Sequence, residues 1–272
     1  MQTTISPPSE IASGALRIRF IADAPADAGV FCRFVDPGAT VAVGESVAID
    51  SLSSTTADSV DRIEIISTED TGESGQKFQS WLGTPGPATV VIKTDKATVR
   101  WRPGRAVVQA SPADCKSALP PLIHFAFYEG ELRKLEQAVV PFEATANADV
   151  AHAYEMTAAH RQHWDRLYRT MEQLYRLRLQ FARLEPHLDG PAPALPRQAR
   201  QLFARLARKA QVAARLEALG NRLETCEDLY EGAVDRITDF KAYRKGNWLE
   251  IAIVLLLALE TVLLLVQAHN GR

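Results

Sequence analysis

Cysteine is scarce in this 272-residue chain, with Cys32, Cys115 and Cys226 its whole complement. Three widely separated thiols make neither a disulfide framework nor a paired-cysteine metal knuckle, so a reducing compartment is expected for the main body. An excess of either charge is also lacking. With 31 Lys and Arg against 33 Asp and Glu, the formal net charge is −2, and bulk charge alone does not make a polyanion-binding domain. No basic residue precedes Arg17 and no apolar core occupies the first sixteen positions, so neither a cleaved secretory leader nor an Arg/Ser-rich transit segment is expected. Walker loop, dinucleotide-binding glycine pattern, HExxH motif and nucleophile elbow are all missing. Their absence lowers the prospect of an enzyme without removing it, and leaves the cofactor unknown.

Long apolar runs are missing too, until the carboxyl-terminal end. From Trp248 to Val266 the chain reads WLEIAIVLLLALETVLLLV, with only Glu250 and Glu260 charged. Nineteen residues at about 1.5 Å each come close to the roughly 30 Å of a bilayer core. The apolar side chains face every direction of a helix, as lipid contact requires. Lys241, Arg244 and Lys245 precede the run, whereas only His269 and Arg272 follow it. This bias predicts a cytoplasmic amino-terminal bulk, with these three cations and Trp248 at the membrane interface. Glu260 either meets another polar group, such as a second copy of the helix, or lies off-centre toward the headgroups.

The helical part is expected to begin near residue 122, after Pro112, Pro120 and Pro121. A first helix over about 122–140 carries Leu122, Phe125, Tyr128, Leu132, Leu135 and Val139, and residues 147–188 follow a rhythm of threes and fours. Asp189-Gly190-Pro191 and the prolines up to Pro196 break that helix. Beyond them, Leu216, Leu219, Leu223, Cys226, Tyr230, Ala233, Ile237 and Phe240 recur at alternating intervals of three and four. That rhythm predicts a seam of coiled-coil type, packed against residues 147–188 of the same chain or against another copy. Gly246-Asn247 can bend the junction with the anchor or continue the helix.

Charge is distributed unevenly. Residues 161–215 carry 12 bases against 4 acids, and this arginine-rich stretch could face anionic phospholipid or RNA, or simply solvate long helices. His152, His160 and His163, with Glu155 and Asp165, could hold a divalent metal only if they converged. Solvated positions on a helix surface are the simpler expectation, and no metal ligands are assigned.

The amino-terminal half is strand-like in short runs at 15–22, 30–35, 46–52, 62–67, 88–94, 97–101 and 105–111, punctuated by Asp, Gly, Pro and Ser. Asp95-Lys96 predicts a hairpin turn, and residues 68–86 a mobile polar loop.

Three carboxyl-terminal stretches carry a resemblance: LYRLRLQFARLEPHLDGP at 174–191, RLEALGNRLETCEDLYEGAVDRI at 215–237 and NWLEIAIVLLLALE at 247–260. In this order they resemble the family of membrane-anchored proteins named for yeast meiotic nuclear division, whose mitochondrial members include one associated with support of mitochondrial translation. The match covers about 90 residues. Gly220-Asn221 and the stretch from Ala192 to Pro196 depart from the family pattern. The resemblance implies a bacterial single-pass membrane protein with a cytosolic domain acting as a scaffold, and transfers no catalytic residue.

The expected architecture is α+β. A flexible start (1–14) leads to a small β-rich domain (15–121), a long helical hairpin or coiled-coil region (122–245), one transmembrane helix (246–267) and a short tail (268–272). The function expected is a membrane-anchored structural or interaction scaffold in a bacterial inner membrane. Its alternatives are an RNA- or ribosome-associated module using the basic helical surface, and a metal- or nucleotide-dependent enzyme. The partners expected are the membrane, a second copy or another protein, and RNA or anionic lipid through 161–215.

Overall fold

A computed structural model describes residues 14–23, 29–52, 60–69, 78, 81–83, 89–154, 161–190 and 195–270. Seven strands come first: β1 (Gly14–Ile21), β2 (Val30–Phe34), β3 (Thr40–Val47), β4 (Arg62–Thr68), β5 (Val90–Lys93), β6 (Ala97–Arg102) and β7 (Arg105–Ala110). Four helices follow: α1 (Pro112–Tyr154), α2 (Arg161–Asp189), α3 (Arg197–Lys209) and α4 (Val212–Asn270). The chain is therefore β-rich in its first part and helical thereafter. It divides into two compact units, one of Met1–Val140 with Arg176–Arg222, the other of Pro141–Tyr175 with Leu223–Arg272.

In the first unit the strands form one mixed sheet in the order β2-β3-β1-β4-β7-β6-β5. Neighbours are antiparallel except β4 and β7, which run parallel. Alternation sends Leu16, Ile18, Ile63, Ile65, Val99, Trp101, Ala106 and Val108 to one buried face. That face meets α1: Phe127 stacks on Phe34 with ring centroids 3.9 Å apart, and Phe125 meets Trp101 edge-on at 4.9 Å. The other face mixes an apolar cluster of Ala15, Leu52, Ile66, Leu82 and Val107 with charge. There Arg17 binds the buried Glu64 at 3.0 Å, and Arg105 donates to the Trp81 carbonyl at 2.7 Å.

Three boundaries differ from expectation. The third strand is Thr40–Val47 rather than 46–52; residues Ile49–Ser51 form a 3-10 turn closed by the Ser51 hydroxyl on the Ala48 carbonyl at 2.6 Å. Gly44 lies inside that strand because Phe31 covers it, and an added Cβ would stand 2.1 Å from the ring. Helix α1 begins at Pro112 and continues through Pro120 and Pro121. All of residues 121–130 are buried, so packing on several sides outweighs the local cost of proline. Helix α1 also runs on to Tyr154, past the end expected near 140 and through the first residues of the 147–188 helix, and α2 is Arg161–Asp189; α3 and α4 are separated at Ala210-Gln211, where Gln211 takes φ 54°.

Other expectations meet the structure directly. The β5–β6 turn at Asp95-Lys96 is closed by Thr94, whose N–H donates to the Ala97 carbonyl at 2.8 Å. Helix α2 stops at Asp189, and α4 passes through Gly246 without interruption. Within 68–86 only part is described, and there Phe78, Trp81 and Leu82 pack on the sheet cluster.

Candidate membrane anchor and the polar clusters of the body

Helix α4 changes character along its length. Leu216, Leu219, Leu223, Cys226, Tyr230, Ala233 and Ile237 are buried within the single chain, and Phe240 is half-buried. In the second unit Phe240 meets Trp164 of α2 edge-on at 5.8 Å. In the first, a Cβ added at Gly220 would lie 3.6 Å from the Phe181 ring. Residues 241–263 are then exposed without exception.

Among the described residues, α4 is the one helix long and apolar enough to cross a membrane, and none of its most apolar stretch is buried. Leu255, Leu256 and Val254 each expose about two thirds of their surface. A soluble core helix would hide one face; this apolar stretch hides none. No family model matches this chain, and no curated protein matches it in sequence.

The residues expected at the interface are all exposed. Lys241 does more than carry charge: its Nζ lies 5.2 Å from the Trp164 ring centre and 5.0 Å from that of Tyr168. Such cation–π contacts hold the ammonium on α2 at the start of the exposed stretch. Trp248 follows, about two thirds exposed. Glu260 is exposed, while the neighbouring Thr261 hydroxyl donates to the Leu257 carbonyl at 2.8 Å within the helix.

Two buried carboxylates tie helices together, one in each unit. In the first unit Glu129 accepts from Arg133 at 2.5 Å and from Arg215 at 2.8 Å, while Arg215 also binds Glu136 through two nitrogens. Burial alone would lower the Arg215 pKa, but the hydrogen bonds it donates to Glu136 and Glu129 outweigh it and raise the pKa. In the second unit Asp149 accepts from the Tyr230 hydroxyl at 2.9 Å and pairs with Arg166. Both clusters join residues about 80 positions apart, which no sequence spacing reveals.

These pairs thin the expected basic surface. Arg166 and Arg215 are engaged, and Arg178 lies over the Phe181 ring at 5.7 Å. The exposed cations of α3 remain prominent: Arg197, Arg200, Arg205, Arg208 and Lys209 share thirteen residues with no acid.

Among the described residues, no group of three or more His, Cys, Asp or Glu is placed to hold a metal ion. The side chains of His152, His160 and His163, with Glu155, fall outside the described residues, and Asp165 is exposed. A cavity of about 390 Å³ between the β5–β6 hairpin and the starts of α1 and α3 is lined by Lys93, Lys96, Asp114, Gln198 and Arg205 among others.

One polar cluster is not expected from the sequence, where Tyr128 is only a position on the apolar stripe of the first helix. His124 and Tyr128 of α1 are buried against Phe34, and His187 of α2 stacks on Tyr128 with centroids 4.6 Å apart. Burial, then the neighbouring His187, lowers the His124 pKa to about 4, and burial pushes the nearby Cys32 thiol up to about 12. A neutral imidazole and a fully protonated thiol suit a packed core better than nucleophilic chemistry.

Proposed function

We propose that the chain is a single-span membrane scaffold whose β-rich body stands at the cytoplasmic face of a bacterial inner membrane. One observation carries this reading: α4 is buried on its seam up to Ile237 and apolar yet wholly exposed from Leu249 to Leu263. A helix of that kind joins a folded body to lipid. Lys241, Arg244 and Lys245 before the span support the cytoplasmic placement of the body. The resemblance to the membrane-anchored family named for meiotic nuclear division belongs to this proposal, since it implies the same single-pass plan. Reporter fusions test it: a cytosol-active reporter at Met1 and an export-active reporter after Arg272 should both score. A carboxyl-terminal reporter active only in the cytosol contradicts the orientation.

A second reading is favoured by α3, whose five exposed cations face no acid on their own helix. In this reading the scaffold holds RNA against that surface by phosphate contacts. Binding should weaken steeply with salt and fall when Arg197, Arg200 and Arg208 are changed to Glu. RNA binding unaffected by those changes would count against it.

A further inference from the structure

We propose that α4 pairs inside the membrane with α4 of a second copy, through a stripe of Leu249, Ile253, Leu256, Glu260 and Leu263. The proposal rests on the anchor reading above and names the anchor's partner. The five residues are spaced by four, three, four and three, which keeps them on one helix face and repeats the heptad of a pairing seam. All five are exposed.

Glu260 decides the occupant. It lies three residues past Leu257, the middle of Trp248–Val266, hence about 4.5 Å from mid-span along the axis. A carboxyl at that depth is costly unless it faces another polar group, protein or water. Among the described residues no hydrogen bond or ion pair reaches it, and no second helix qualifies as a span. The adjacent Thr261 hydroxyl is already bonded within the helix.

A parallel second copy solves the problem by symmetry, because it brings the same carboxyl to the same depth. Two carboxyl groups sharing a proton offer both donor and acceptor across the axis. One polar position in an otherwise aliphatic seam also fixes register.

The face is free for this use. At about 100° per residue, Glu260 points between about 140° and 160° away from Ile237 and Phe240 around the helix. Those two residues belong to the seam that packs on the rest of the chain. Pairing through Glu260 therefore leaves the body's own contacts undisturbed.

The test is self-association of the full chain in a two-reporter bacterial membrane assay, with Glu260→Leu and Glu260→Gln, and carbonate extraction of every strain. Glu260→Leu should lower association about fivefold or more. Glu260→Gln, which keeps a donor and an acceptor at that depth, should retain most of it. Under oxidation Ile253→Cys and Leu256→Cys should form linked dimers, and Ala258→Cys on the opposite face should not; the native cysteines are buried. An integral wild-type chain that is monomeric, a Glu260→Leu variant that associates like wild type, or crosslinking equal around the helix would overturn the pairing alone. Loss of the wild-type chain from carbonate-washed membranes would overturn the anchor as well.

Discussion

Arg215 of α4 grips Glu136 of α1 with two nitrogens, Nε on Oε1 at 2.8 Å and Nη2 on Oε2 at 2.7 Å, while Nη1 reaches Glu129 at 2.8 Å. Glu129 is almost wholly buried. Removing its arginine leaves a carboxylate held, among the described residues, by Arg133 alone, and breaking a buried pair from one side costs about 3–5 kcal/mol. Arg215→Ala should therefore destabilise the protein by about 3 kcal/mol, the lower end because Arg133 remains. Arg215→Lys should recover only part of this, since an ammonium cannot span both oxygens. Denaturant titration of the purified full chain in detergent checks both.

Acid should weaken the first unit through His124. Its folded pKa is about 4, below the ordinary 6.5. Between those values the unfolded chain takes up a proton that the folded chain refuses, so stability falls as pH falls from 6.5 to 4 and is level above 6.5. The full effect is about 3 kcal/mol. His124→Leu should flatten that window in melting curves taken from pH 7 to pH 4, and an unchanged slope would show that another group titrates there.

Leu223 is fully buried at the centre of the α4 seam. Leu223→Ala should cost about 2–5 kcal/mol, and Leu223→Asp more, because a carboxylate would be buried without a partner. Cooperative melting at the wild-type temperature would remove Leu223 from the packed layer.

The hydroxyl of Tyr230 satisfies Asp149, of which only 2% is exposed. Tyr230→Phe keeps the ring and withdraws the donor, so a loss of about 1–3 kcal/mol is expected. Tyr230→Leu should cost more, because the ring packing goes too. Thermal denaturation of the two variants side by side separates the hydrogen bond from the packing.

Period-two alternation made most of the sheet legible in the sequence, as in LRIRF at 16–20 and RIEII at 62–66. The third strand was not, because Gly44 interrupts its pattern and it is Phe31 from β2, with Ile18 from β1, that leaves no room for a side chain there. The α3–α4 break was hidden for a different reason: Gln211 takes a positive φ with no glycine or proline to announce it. The seam could be listed from Leu216 to Phe240, since its spacing is local. What it packs against could not, because Trp164 and Phe240 are brought together only by the fold. His124 and Glu129 were invisible as polar groups of interest: neither belongs to the stripe of Leu122, Phe125, Tyr128 and Leu132, and it is the fold that buries every residue of 121–130. Lys241 was legible as a charge before the anchor, and its seat on Trp164 and Tyr168 was not.

The most direct measurement of the account is carbonate extraction of membranes containing either the full chain or a chain lacking residues 248–266. Every described side chain from Leu249 to Leu263 is exposed, so deletion takes away exposed apolar surface without opening the buried seam. The full chain should stay in the membrane pellet, and the shortened chain should appear folded in the supernatant. A full chain released by carbonate, or a shortened chain that resists it, would contradict the account of α4 as the anchor.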